Sequence, residues 1–163
     1  MLDGAPAVFV ALEQSGFSAS VRQSQWLYPA ANVGHIVSLV LLAGAVAIMD
    51  VRLMGGFAAT APTLMLARAR LFAVAALAGM AVSGFLLFAA EASHIVLNPV
   101  FRLKLILISA GLANVAIYEF WARRRVEALA PGAAMPNIAK MAGLLSLATW
   151  VAVAACGRAI AYF

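Results

Sequence analysis

Two histidines and a lysine stand in or beside long apolar runs, and side chains of those types suit ligation and charge pairing. His35 lies inside the run 26–49. An imidazole there loses hydration, and it is retained when a metal, a cofactor or a buried partner uses it. Neutral imidazole is an axial ligand for haem iron, which makes His35 and His94 the candidate metal ligands. The competing readings are a hydrogen-bonded structural histidine at His35 and a solvated loop position for His94. Met80, on the same helical face as His94, is a fallback ligand, although methionine at that spacing is ordinary core. Arg102, Lys104 and Arg158, with Arg22, gather where anionic haem propionates would emerge. Lys104 is also long enough to snorkel to the surface.

The elements that must position these residues are membrane helices. Hydrophobic residues make up 66% of the 163-residue chain and charged residues 10%, against roughly 25% charge in soluble domains. Apolar runs over 26–49, 71–92, 100–121 and 138–162 each approach the ~20 residues needed to cross hydrocarbon. The expected fold is all-α: a four-helix transmembrane bundle over 26–163, preceded at 1–25 by an N-terminal interfacial segment with amphipathic stretches at 5–13 and 17–26. That segment lacks the pattern of a cleaved secretory signal. Gly, Pro and charge mark the breaks at 50–70, 93–99 and 122–137. Arg52, Arg68, Arg70, Arg123, Arg124, Arg125 and Lys140 border one side, whereas Arg22, Arg102, Lys104 and Arg158 lie toward the other. The first side is therefore expected to be cytoplasmic and both termini periplasmic. The basic residues sit at span ends and form no exposed stripe, which argues against a nucleic-acid partner and for the lipid bilayer.

Helical periodicity gives each run a polar or small-residue face. Ala31, His35, Ser38, Leu42 and Ala45 share one stripe, with Gly34 and Gly44 beside it. Ala76, Met80, Ser83, Leu87, Ala90 and His94 share a second. Lys104, Leu107, Gly111, Asn114 and Tyr118 share a third, and Gly143, Ser146, Trp150, Val153 and Gly157 a fourth. Small residues at such spacing allow close helix packing. At ~1.5 Å per residue His35 lies ~21 Å from the cytoplasmic edge, Lys104 ~25 Å and His94 ~34 Å. Bis-histidine ligation would have to close a ~13 Å difference in height by helix tilt and ligand span. Asp50 and Arg52 read as a local charge pair anchoring a helix end. Glu91 reads as a surface carboxylate or as a partner that orients His94, and Asn114 with Tyr118 are placed to bond between helices or to a quinone-like ligand. The lone Cys156 is a small hydrophobe. No phosphate-binding glycine loop, HExxH, CxxC or deep carboxylate pair is present, which removes hydrolase and nucleotide-driven chemistry.

The segments WLYPAANVGHIVSLVLLAGAVAIMDVRLMG and SGFLLFAAEASHIVLNPVFRLKLILISAGLAN resemble an uncharacterised group of small bacterial four-helix membrane proteins. More distantly, they are similar to copper-resistance D-like membrane domains and to the haem-binding four-helix protoporphyrinogen oxidase. The resemblance covers all four helices, most clearly 26–114, and rests on His35, Gly44, Arg52-Leu53 and Lys104. It implies a haem b bundle in which His35 and Lys104 are the important polar positions. The oxidase's aromatic-rich first helix and further histidines are absent from this chain, so its particular reaction is not implied. The expected function is haem b-dependent electron transfer linked to quinol in the bacterial inner membrane. A non-catalytic subunit of a larger membrane complex and a copper-handling protein are the alternatives.

Overall fold

The structure, a computed structural model, describes residues 4–163; the first three residues of the N-terminal segment lie outside them. Two short helices, α1 (Ala7–Gln14) and α2 (Gly16–Gln23), precede α3 (Leu27–Leu53) and α4 (Pro62–Ala90). After the single turn α5 (Ala92–Ile95), α6 (Pro99–Ile117) passes through a π-helical turn (Tyr118–Ala122) into α7 (Arg123–Glu127). The chain ends with α8 (Asn137–Ala159) and a 3-10 turn (Ile160–Tyr162). No strand occurs among the described residues. Leu27–Leu53, Pro62–Ala90, Pro99–Glu127 and Asn137–Tyr162 are each long and apolar enough to cross a membrane. The protein is thus an all-α, four-span bundle whose ends we call the terminal face, where α1, α2 and the C-terminus lie, and the loop face.

Local chemistry sets the helix ends. Asn98 caps α6, its side-chain oxygen accepting from Val100 N at 2.9 Å and Phe101 N at 3.2 Å, and Pro99 follows at the first helical position, where a missing N–H costs nothing. Pro62 starts α4 in the same way. This helix therefore begins nine residues before the run expected from hydropathy at 71. Arg68 and Arg70 look like a boundary in sequence, yet the Ala- and Leu-rich segment around them favours helix and simply extends the span. Past the end of α3, Gly55 has φ +107°, a conformation side chains resist.

Lipid-facing positions such as Val33, Ile36 and Val40 on α3, Val82 on α4 and Ile106 on α6 are more than half exposed. Trp26 projects at the terminal face, and Phe120 and Trp121 project at the loop face, as expected of aromatic belts. The main buried cluster lies near the loop face, where Leu53, Leu66, Tyr118, Val126, Met135 and Ala139 meet.

The N-terminal helices pack on the terminal face. Arg22 Nη1 donates to Ala90 O at 2.6 Å, and Phe17 stacks on Phe85 with centroids 6.2 Å apart. Glu13 accepts from Ser93 N at 2.7 Å and from the Ser93 hydroxyl. Chiefly through that hydroxyl bond, and despite some burial, the Glu13 carboxyl is held below its ordinary value of 4.5, with help from the Ser93 N–H and the charges of Arg22 and His94. A lowered folded-state pKa means that the contribution is complete above 4.5 and lost as pH falls through the lowered value. Amide hydrogen exchange should accordingly show α1 releasing from α5 on acidification below that point, whereas Glu13→Gln should make its protection lower and insensitive to pH.

Candidate functional site: a cleft open between two helices

Helix α3 packs against both α4 and α8, and α8 against α6, but α4 and α6 scarcely meet. The spans thus form an arc in the order α4, α3, α8, α6 with an open side. Each end of that opening is stapled. At the loop face Arg70 reaches Glu119 at 2.9 Å and Glu127 at 3.3 Å, and Arg123 reaches the same two carboxylates at 2.8 and 2.9 Å. At the terminal face Phe88 stacks on Phe101 with centroids 5.4 Å apart, and Phe9 of α1 meets Phe88 edge-on at 5.8 Å.

Behind the aromatic staple is a cavity of about 630 Å³, lined by residues of all four spans and by Phe9. It falls within the range of small-molecule and cofactor sites. His35 and Lys104 both line it, in agreement with the similar heights expected from sequence. The His35 ring fits because α4 offers Gly84: a Cβ there would stand 3.1 Å from His35 Cε1.

His35 Nδ1 lies 2.9 Å from Ser83 Oγ, which in turn lies 2.6 Å from Gly79 O. A carbonyl only accepts, so the serine proton goes to Gly79 O and the serine oxygen accepts from His35 Nδ1–H. The neutral ring then carries its lone pair on Nε2, which has no hydrogen-bond partner among the described residues. A hydrogen bond of this kind at Nδ1 fixes the tautomer and orientation of a histidine ring, as it does in histidines that hold metals. Lys104 makes no hydrogen bond or ion pair among the described residues, and its Nζ rests beside Gly157, 3.6 Å from where a Cβ would stand.

The other expected site residues are not brought to this cavity. α4 ends at Glu91, whose φ of −141° breaks the helix, so His94 belongs to α5 and is exposed. The even helical register assumed for residues 71–94 therefore fails, and His94 is not placed opposite His35. Arg102 is exposed and donates to Val96 O at 3.0 Å; Arg22 is held by Ala90 O; Arg158 engages Tyr162. Of the expected propionate partners, Lys104 alone lines the cavity, as does Met80 of the sulfur candidates.

Asp50 and Arg52 do not form the expected pair. Residues two apart on a helix point in different directions. Arg52, fully buried, donates to Thr60 O at 3.1 Å and approaches Gly56 O at 3.5 Å, holding the 54–61 loop. Asp50 turns into the bundle and lines a second cavity of about 120 Å³ with Tyr118, Ser146 and Trp150. Composition did not single out Asp50 or Trp150 as site residues. Asn114 is interhelical, Nδ2 donating to Ala142 O at 2.9 Å.

These features define a four-span helical membrane protein with a largely apolar central cleft that holds one histidine and one lysine. Over residues 25–163 the chain matches, and belongs to, a family of unknown function, DUF6644. That match begins just before α3 and includes every residue of both cavities except Phe9. No curated protein and no solved structure matches the chain. Among the described residues no group of three or more His, Cys, Asp or Glu side chains is placed to hold a bare metal ion.

Proposed function

We propose that this chain is a haem b-binding protein of the bacterial inner membrane that relays electrons between a quinol and a partner at the terminal face. The observation that carries the reading is the hydrogen-bond chain Gly79 O, Ser83 Oγ, His35 Nδ1, which leaves the Nε2 lone pair free to ligate beside a large apolar cavity. A single imidazole in an aromatic and aliphatic pocket suits a porphyrin-held iron, whose other equatorial donors come from the macrocycle. The fit extends to Lys104, a free cation for a propionate, and to the cleft between α4 and α6, through which a flat lipid-soluble group could enter.

Bound there, haem supplies one-electron chemistry. The protein's part is to orient the ligand through Ser83, to balance charge through Lys104, and to exclude water with Phe88 and Phe101. The surplus of Arg and Lys at the loop face, including Arg68, Arg124, Arg125 and Lys140, supports a cytoplasmic loop face and periplasmic termini. Absorbance of the detergent-purified protein, reconstituted with haem where needed, tests the first step. A b-type Soret band that shifts on adding a short-tailed quinol is expected, and no band after reconstitution would end the proposal.

A further inference from the structure

The second cavity holds polar atoms that the haem reading leaves unexplained. Asp50 Oδ2, Tyr118 Oη and Trp150 Nε1 are each enclosed and have no hydrogen-bond partner among the described residues, although Ser146 faces the Asp50 carboxyl. Asp50 is 3% exposed and Tyr118 5%, and all three residues line one cavity of about 120 Å³. Leaving a buried polar atom unpaired costs about 1–3 kcal/mol. Helix-tying side chains would be bonded across the helices, as Asn114 is to Ala142 O.

Their chemistry narrows what would pair them. Indole N–H only donates, a carboxylate only accepts, and a phenol does either. The complementary occupant offers an acceptor oxygen and an O–H together. A bare cation does not meet that requirement, since an indole N–H offers it nothing. Val74 of α4, 62% exposed, and Val115 of α6, 42% exposed, line the same cavity at the open side of the arc. Access is therefore from the hydrocarbon, and the occupant is lipid-soluble. Only one layer of side chains, Leu42, Leu77, Leu112 and Trp150, separates this cavity from the one that contains His35, since all four line both. The π-helical turn begins at Tyr118, and such turns are frequent at functional sites.

We infer that this cavity binds the headgroup of a membrane quinol, with a hydroxyl donating to Asp50, an oxygen accepting from Trp150 or Tyr118, and the tail leaving between Val74 and Val115. The choice of a quinol over other hydroxylated rings rests on the redox reading above. Binding itself needs no haem.

The test uses the full chain with Trp26→Phe and Trp121→Phe, leaving Trp150 as the only tryptophan, titrated in detergent with a short-tailed benzoquinone and its quinol. Saturable quenching of Trp150 fluorescence is expected. Asp50→Leu or Tyr118→Phe should weaken quinol binding about tenfold, the loss of one hydrogen bond to a buried group. Val115→Phe, which blocks the slot without touching a polar group or adding a second indole, should abolish it. His35→Ala should leave it unchanged, so that absence of haem and absence of quinol binding are separate outcomes. No saturable quenching in the parent protein, or quenching indifferent to Asp50→Leu, Tyr118→Phe and Val115→Phe alike, overturns the assignment and leaves enclosed water as the partner of these atoms.

Discussion

His35→Ala is expected to abolish the haem binding proposed above, and Gly84→Leu to do nearly the same with the histidine still in place. The first removes the proposed ligand, and the second follows from one contact. A Cβ on residue 84 would lie 3.1 Å from His35 Cε1, so a leucine there must push the ring out of its position between α3 and α4. Ser83→Ala acts at the other edge of the ring: it removes the acceptor of the Nδ1 proton, and loss of such a partner typically costs 10- to 100-fold in metal affinity. His94→Ala should change nothing, since His94 is exposed in α5 and outside the cavity. Haem stoichiometry by pyridine haemochrome, with helicity and elution volume as folding controls, separates these outcomes. Full haem in His35→Ala, or its loss in His94→Ala, would move the ligand away from α3.

The sequence carries the bundle through its apolar runs, and the inward faces through helical spacing. Ala31, Leu42 and Ala45 on α3, Ala76 and Ser83 on α4, Gly111 on α6 and Tyr118 just after it, and Gly143, Ser146 and Val153 on α8 are all buried as periodicity requires. Depth counting also brought His35 and Lys104 to one level. What was not legible depends on distant partners. Arg70 lies within a span because Glu119 and Glu127, some fifty residues on, neutralise it. The π turn at Tyr118 has no Pro or Gly to announce it. The break at Glu91, which takes His94 out of register, lies in a run of good helix formers. The Asp50 and Arg52 mismatch, by contrast, was readable, because an i,i+2 pair cannot face itself on a helix.

Gly143→Val should be the most disruptive single change to the bundle. Small residues let membrane helices approach closely, but the glycines of this chain are not equivalent. A Cβ on Gly143 would stand 2.9 Å from the backbone oxygen of Asp50 and 3.1 Å from Leu53 Cβ. Backbone cannot rotate away as a flexible side chain does, so α8 must separate from α3. Overpacking of this kind costs about 1–3 kcal/mol, occasionally more. Gly44 also reads from sequence as a packing residue, yet nothing lies within 4 Å of a Cβ built there. Gly44→Val should leave thermal unfolding in detergent almost where it was, while Gly143→Val lowers the midpoint clearly. Because Asp50 sits at the contact that opens, Gly143→Val should also lose quinol binding even where the folded fraction is recovered at low temperature. Equal tolerance of valine at both positions would mean that α3 and α8 do not cross at Gly143, and the arc that shapes both cavities would have to be redrawn.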